Sequence, residues 1–235
     1  ICKHVLNVAI LSAIIAGQMG FPVGRINLLV KSAILHDIGA LKLQQLPDAE
    51  DLDDGTKEVV KKNTQETLAR YGDLDEEVPR LITQMQELYT SESDAEIPAA
   101  LKESVNANIL YVADAYDRMT AMKSFEEPTS EVKAVRELLA DEERYNKKIV
   151  NALIHGISIL YPGVCVELSN GEKGLVITGN EENIFEPTVL DFRNNNLYDL
   201  SDPSVKQTVE IADVMKTMDN RIKLDKSLLE EYQAN

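Results

Sequence analysis

The spacing of apolar residues along the first two thirds of the chain is that of amphipathic helices. Apolar positions recur three and four residues apart, and glycine, proline and short polar loops separate the runs. The predicted helices cover residues 3–19, 25–36, 57–71, 75–90, 103–122, 130–141 and 146–156. We therefore expect a bundle of about seven helices, with a longer acidic loop between the second and the third.

After a Tyr-Pro-Gly sequence at 161–163 the pattern changes to the alternation that is typical of β-strands. An Asn-Gly pair at 170–171 is a strong signal for a two-residue hairpin turn. The strand-like runs are 164–169, 174–180 and 187–192. A last helix is predicted over 224–234. The fold class is thus mainly α, with a helical domain over 1–160 and a small β unit with a closing helix over 161–235.

Composition narrows the classes of function. The chain has 235 residues, of which 44% are apolar, and its 24 basic and 40 acidic side chains leave a net charge of −16. Such a charge repels a phosphate backbone, so we expect no nucleic-acid partner. A pocket in which a metal ion or basic groups reverse the local potential could still bind a small anion.

The other composition signals predict a cytoplasmic protein without a membrane segment. Cys2 and Cys165 form neither a disulfide framework nor a zinc motif, which is typical of a reducing compartment. The most apolar stretch, residues 5–17, is too short to span a bilayer and is predicted to be a buried helix. The chain begins at Ile1 inside a helical pattern, so we expect it to be a fragment of a longer protein.

A candidate metal site begins with the adjacent residues His36 and Asp37, in SAILHDIGALKL at the end of the second helix. Neighbouring side chains at a helix end can converge on one ion. His4 lies in an apolar face of the first helix, and Asp114 lies in an apolar helix that has no packing reason to bury a carboxylate. Buried charges are paired or bound to metal, so these residues indicate one shared site. The alternative is a hydrogen-bonded core histidine and an aspartate that caps a neighbouring helix.

These residues and their surroundings resemble a known family. His4, the HDIG sequence at 36–39 and Asp114 in VADAYD look like the H…HD…D pattern of the HD phosphohydrolase superfamily, and more closely like the HD-GYP family of bacterial cyclic di-GMP phosphodiesterases. The supporting sequences are KKNTQETLARYG, YDRMTAMKSF and GISILYPGVCVELSNGEKGLVI. The resemblance implies an all-helical domain with two or three iron or manganese ions, which activate water for phosphodiester hydrolysis.

The chain departs from the family pattern at positions tied to the additional ions and to the substrate. Asn63 stands where the family has a metal-binding histidine. Met85-Gln86-Glu87 stands where it has His-His-Glu, and TSESDA at 90–95 replaces the Gly-Tyr-Pro loop. Met and Gln are poor ligands for such cations, and Asn offers only a neutral carbonyl. We therefore expect at most one ion.

The residues that remain resemble the ligand set of single-ion HD enzymes. The predicted metal ligands are His4, His36, Asp37 and Asp114. By the same resemblance, catalytic roles fall to Asp37 and to Lys123, which stands near a basic position of the family, whereas Ala40 replaces the lysine that usually follows HDIG. Asp117 fits either a residue that orients a ligand or a solvated helix face. The expected cofactor is one divalent ion, iron or manganese rather than zinc or magnesium, or none.

Three hypotheses for the function follow. The first is a degenerate HD-GYP-like signalling domain with weak or no hydrolysis, which acts by binding or contact; the compatible partners are a cyclic dinucleotide or another phosphate ester, an upstream regulatory domain and a second copy in a homodimer. The second is an active one-metal phosphohydrolase. The third is a non-catalytic scaffold or dimerisation module. Metal content separates the scaffold from the other two, and turnover separates the enzyme from the binder.

Overall fold

The structure, a computed structural model, describes residues 2–43, 54–90, 97–121 and 128–215. The chain divides into two compact units, Ile1–Thr129 with Ala134–Ile157, and Ser130–Lys133 with Ser158–Asn235. The first unit is helical and the second contains a small antiparallel sheet, which confirms the predicted fold class. Whether 1–160 and 161–235 are separate domains stays a prediction.

All seven predicted helices are present. The helices before residue 158 are α1 Cys2–Gln18, α2 Val23–Leu35, α3 Asp54–Leu68, α4 Glu77–Thr90, α5 Ala99–Lys102, α6 Val105–Thr120, α7 Glu131–Ala140 and α8 Lys147–Ile157. The pattern did not predict α5 or a 3-10 helix at Ile38–Lys42. Each of these consists of only four or five residues, which is too few for a helical period to be recognised.

Helix α6 is the central helix of the first unit. Every residue from Ala107 to Asp117 is buried, and α1, α4 and α8 pack against the helix. Within this run the side-chain amide of Asn108 donates to the carbonyl oxygens of Leu101 and Ser104, at 3.0 and 2.9 Å. The two aspartates of α6, Asp114 and Asp117, are also buried, and as charged groups they need partners.

The 3-10 helix Ile38–Lys42 follows the His36-Asp37 pair directly and packs closely against α3. The amide of Gly39 donates to Oγ1 of Thr64 at 3.1 Å. A Cβ atom at Gly39 would lie 2.3 Å from the carbonyl oxygen of Val60 and 2.4 Å from the amide nitrogen of Thr64. Only glycine permits this approach of two backbones, and the contact holds the chain two residues after Asp37.

The second unit contains a five-stranded antiparallel sheet with the order β4-β3-β2-β1-β5. Its elements are β1 Cys165–Leu168, β2 Lys173–Thr178, β3 Thr188–Asp191, β4 Leu197–Asp199, α9 Pro203–Lys206 and β5 Ile211–Val214. The three predicted strands are confirmed as β1, β2 and β3, whereas the short strands β4 and β5 were not predicted. The β unit is thus larger than expected.

The turn between β1 and β2 is longer than the predicted two-residue turn. The amide of Gly171 donates to the carbonyl oxygen of Leu168 at 2.9 Å, and the amide of Leu168 donates to the carbonyl oxygen of Glu172 at 2.8 Å. Gly171 has a φ of +80°, which favours glycine, while Oδ1 of Asn170 accepts from the amide of Glu172 at 3.0 Å. The Asn-Gly pair therefore marks the hairpin correctly but belongs to a four-residue connection.

Two other expectations concern membrane helices and the end of the chain. In the part of the chain that the structure describes, every helix is too short or too polar to cross a bilayer. The helix that we predicted over 224–234 lies outside the described residues.

The contact at Gly39 generates a prediction about stability. Gly39→Ala is expected to lower the free energy of unfolding by about 1 to 3 kcal/mol, because the added methyl group overlaps backbone atoms of α3. Gly17→Ala is the matched control, since it adds the same atom within α1 with nothing inside 4 Å, and alanine favours a helix by up to about 1 kcal/mol. Chemical denaturation measures both, and equal midpoints for the two variants would contradict the contact.

Candidate metal centre

The predicted metal site draws on three elements of the helical unit. His4 lies in the first turn of α1, His36 follows the last residue of α2, and Asp114 lies within α6. Asp37 starts the turn into the 3-10 helix with φ −105° and ψ 15°, whereas His36 keeps helical angles of −61° and −32°. This change in backbone direction lets two adjacent side chains approach the same point.

Three of the four predicted ligands bring their atoms close together. One ligand atom from each of His4, His36 and Asp114 lies within 4.8 Å of the other two, and we call these three residues the ligand cluster. Oδ1 of Asp114 lies 2.8 Å from Nε2 of His4 and 3.2 Å from Nε2 of His36. All three side chains are at most 10% exposed. These residues could therefore hold one metal ion.

Asp37 lies at the edge of the ligand cluster. Its Oδ2 atom is 3.5 Å from Nε2 of His36 and 3.7 Å from Nε2 of His4, and its side chain is 17% exposed. These distances exceed those that Asp114 makes to the same two nitrogens. Asp37 thus lies farther from the two histidines than Asp114 does, and its role as a metal ligand stays a prediction.

Both imidazoles are oriented through their Nδ1 atoms. Nδ1 of His4 lies 2.7 Å from Oδ2 of Asp117, and Nδ1 of His36 lies 2.6 Å from the carbonyl oxygen of Ala33. These oxygens can only accept, so each Nδ1 carries a proton and each Nε2 faces the cluster. Among the described residues, no partner meets Nε2 of His4 with hydrogen-bond geometry. Histidines that bind metals are held in this way.

Asp117 orients His4. Its side chain is buried, its Oδ2 accepts from Nδ1 of His4, and its Oδ1 accepts from Nδ2 of Asn7 at 2.7 Å. The alternative of a solvated helix face is wrong, because this side of α6 packs against α1.

The carboxylate of Asp114 is surrounded by donors on both oxygens. Its Oδ2 accepts from Nε of Arg118 at 2.7 Å and from the hydroxyl of Tyr89, while its Oδ1 faces the two imidazoles. Nη2 of Arg118 also donates to Oδ2 of Asp37 at 3.4 Å. The guanidinium therefore links Asp114 with Asp37, and the hydroxyl of Tyr89 links Asp114 to α4.

The charges of the site shift one another's pKa values. Burial would lower the pKa of His4, but its contacts with Asp114 and Asp117 outweigh burial and raise that pKa to about 9. His36 shifts in the same direction, because Asp37 and Asp114 outweigh its burial. Burial would raise the pKa of Asp114, but Arg118 and the two imidazoles hold it well below its usual range. The carboxylate is therefore ionised and attracts positive charge.

Three of the positions that the sequence comparison singled out as substituted, Asn63, Met85 and Gln86, make contacts with backbone or core atoms. Nδ2 of Asn63 donates to the carbonyl oxygen of Gly39, and Nε2 of Gln86 donates to the carbonyl oxygen of His36, both at 3.4 Å. Met85 is buried in the apolar core. Asn63 and Gln86 thus contact the backbone around the HDIG turn.

Some predicted residues fall outside the described part of the chain, and two residues of the site were not predicted. Lys123 and residues 91–95 of the substituted loop lie outside the described residues. Arg118 and Tyr89 were not singled out. A signal existed for Arg118, which stands four residues after Asp114 and can therefore pair with it on one helix face. No comparable signal marks Tyr89, which reaches the site from another helix.

Comparison with known proteins identifies the class of this chain. A family model described as the HD domain matches residues 1–119, which include His4, His36, Asp37 and Asp114. The chain belongs to the HD domain family, and so to the HD phosphohydrolase superfamily, whose members include metal-dependent phosphohydrolases. No curated protein matches the chain.

The residues present fit the divalent ion that HD domains bind. Two imidazole nitrogens and a carboxylate oxygen form a compact donor set, and Nε2 of His4 has no other hydrogen-bond partner among the described residues. Imidazole and carboxylate ligands suit iron, manganese and zinc. His4, His36 and Asp114 would hold the ion, and Asp37 stands next to them.

The contact between Asp117 and His4 generates a prediction about metal affinity. Asp117→Asn is expected to weaken binding of Mn²⁺ by about 10- to 100-fold, because an amide no longer fixes the orientation of His4 or increases its basicity. Asp73→Asn, at an exposed position of the same unit, is the control and should bind as the unmodified chain does. Competition against a fluorescent chelator measures the affinities. Equal affinities in both variants would contradict the role of Asp117 in orienting His4.

Proposed function

We propose that this chain is a degenerate HD-GYP-like signalling domain of a bacterial cytoplasmic protein. It binds at most one divalent ion, hydrolyses cyclic di-GMP weakly or not at all, and acts by binding or contact. A cyclic dinucleotide or another phosphate ester is the proposed ligand. The same proposal includes an upstream regulatory domain and a homodimer. These two parts are supported by the resemblance to the family alone.

The observation that carries this proposal is the single compact ligand cluster with a guanidinium beside it. His4, His36 and Asp114 supply donors for one ion. Arg118 pairs with the far oxygen of Asp114 and with Asp37, the two carboxylates on which a further cation would depend. A guanidinium is always charged and cannot act as a metal ligand. The described residues of the site thus provide for one ion.

The substituted positions support the same proposal. Where the family has histidines for further ions, Asn63 and Gln86 engage backbone carbonyls and Met85 is packed in the core. Neutral amides and a thioether contribute no charge toward a second cation and are weak ligands for iron or manganese. Removal of a metal from such a site removes a large share of the charge stabilisation of the transition state.

The residues of the site have defined roles in this proposal. A bound divalent ion would polarise a phosphoryl oxygen as a Lewis acid. His4 and His36 would hold it through Nε2, and Asp117 keeps the proton of His4 on Nδ1. Asp37 is the candidate proton acceptor for residual hydrolysis, since its side chain is the most exposed of the three carboxylates.

The second candidate is an active one-metal phosphohydrolase. It is favoured by the orientation of the two imidazoles, whose Nδ1 atoms are both engaged while their Nε2 atoms face one carboxylate oxygen. Such an arrangement is typical of a functional metal site. Metal binding is common to this candidate and to the leading one, so the rate of turnover decides between them.

The decisive test combines metal content with turnover. We expect elemental analysis of chain purified without chelator to give at most one ion per chain. Cyclic di-GMP hydrolysis with added Mn²⁺, or with Fe²⁺ under reducing and anaerobic conditions, should remain far below about one turnover per second, a rate typical of working enzymes. Faster turnover would establish the second candidate, and absence of any bound metal under all of these conditions would favour a scaffold.

Histidine variants control the metal measurement. His36→Ala is expected to abolish metal binding, because it removes one of three buried donors. His155→Ala is the matched control, since His155 is exposed in the last turn of α8 and should leave the metal content unchanged. If His36→Ala kept the full metal content, the ion would be bound elsewhere.

A further inference from the structure

The side chain of Arg118 lies beside the ligand cluster. It starts one helical turn after Asp114 on α6, and it donates from Nε to Oδ2 of Asp114 and from Nη2 to Oδ2 of Asp37. The side chain is only 22% exposed, and its Cζ atom lies 5.8 Å from the centre of the Tyr89 ring. The positive charge is thus held against the site by two carboxylates and an aromatic side chain.

Counting the charges shows what the guanidinium does to the site. Asp37, Asp114 and Asp117 together carry three negative charges, and Arg118 neutralises one of them. A histidine must lose its proton from the nitrogen that binds a metal, so both imidazoles count as neutral in the metal-bound site, and the remaining charge of −2 balances the +2 of one divalent ion. A second divalent ion would leave the site with a net charge of +2 in a buried setting, which is unfavourable.

We propose that Arg118 is the permanently charged side chain of this site: it holds Asp114 and Asp37 in place in the metal-free chain and helps to restrict the site to a single, weakly held ion. The inference rests on the proposed function, in that it adds a reason why at most one ion binds, and it assigns part of that limit to one residue. This contribution comes from electrostatic competition between the guanidinium and an incoming cation.

A purely structural role for Arg118 and a role in competition with the ion predict opposite changes in metal affinity when the side chain is removed. If the guanidinium only oriented Asp114 as a ligand, its removal would disorder the carboxylate and weaken metal binding. If it competes with the ion, its removal takes one donor from Oδ2 of Asp114 and one from Oδ2 of Asp37, and it strengthens metal binding. The sign of the change in affinity therefore separates the two roles.

The experiment compares variants at this position by calorimetric titration of chelator-treated protein with Mn²⁺. Arg118→Met removes the charge and keeps much of the side-chain volume, and it is expected to bind Mn²⁺ about tenfold more tightly or better. Arg118→Lys retains the charge and should bind as the unmodified chain does. Arg80→Met is the matched control, because Arg80 is an exposed arginine paired with Glu77 on α4.

Thermal unfolding provides a second readout on the same proteins. Without metal, Arg118→Met should unfold at a lower temperature than the unmodified chain, because two carboxylates lose their cation. Saturating Mn²⁺ should raise the unfolding temperature of this variant by more than it raises that of the unmodified chain. If Arg118→Met does not fold without metal, Arg118→Gln, which retains an amide donor and loses the charge, replaces it with the same expected result.

The possible outcomes separate this inference from the proposed function. Affinity for Mn²⁺ that is unchanged, reduced or undetectable in the charge-removing variants would overturn the role of Arg118. That result would leave the proposed function in place. Two ions per unmodified chain, or rapid hydrolysis of cyclic di-GMP, would contradict the proposed function itself. Tighter binding of one ion in Arg118→Met supports the inference, even if the unmodified chain binds none.

Discussion

A carboxylate that is completely buried in the middle of a helical bundle constrains everything around it. Asp114 has no exposed surface, and an uncompensated charge in such a place would cost several kcal/mol. Its oxygens are met by side chains from α1, the end of α2, α4 and its own helix α6. The neutralisation of one carboxylate therefore ties together the helices that form the core of the first unit, and it explains why the polar residues of the site are buried at all.

The sequence contained enough information to predict the long elements and most of the site. Helical periodicity is a local signal, so α1, α2 and α6 could be located from spacing alone, and Asp114 stood out because it interrupts an apolar face. The strands β4 and β5, of three and four residues, were not predicted. Their stability comes from neighbouring strands, and β5 pairs with β1 across more than forty residues of sequence. Pairing over that distance leaves no local pattern.

The features of the site that were not predicted depend on how the helices are oriented toward one another. An arginine four residues after an aspartate is common on solvated helix faces, and only the burial of Asp114 turns the Arg118 pair into a feature of the interior. Tyr89 places one hydroxyl group on an otherwise apolar face of α4, and the partner of this hydroxyl, Asp114, lies on another helix. Asp117 was recognised as polar, but its role follows from the position of α1, which brings His4 and Asn7 next to it. In each case the missing information was which way a helix faces.

The local charges of the site, rather than the net charge of the chain, control what it can bind. Surface carboxylates are screened over about 8 Å at physiological ionic strength, whereas the charges around Asp114 are shielded from solvent and interact strongly. One divalent ion beside Arg118 brings this group of side chains close to neutrality. A cyclic dinucleotide would then bring two further negative charges, and the described part of the site offers no additional cation to receive them. Binding of a phosphate at this point is therefore compatible with the local charges, whereas stabilisation of the more highly charged transition state of hydrolysis would draw on one ion and one guanidinium that is already paired with two carboxylates.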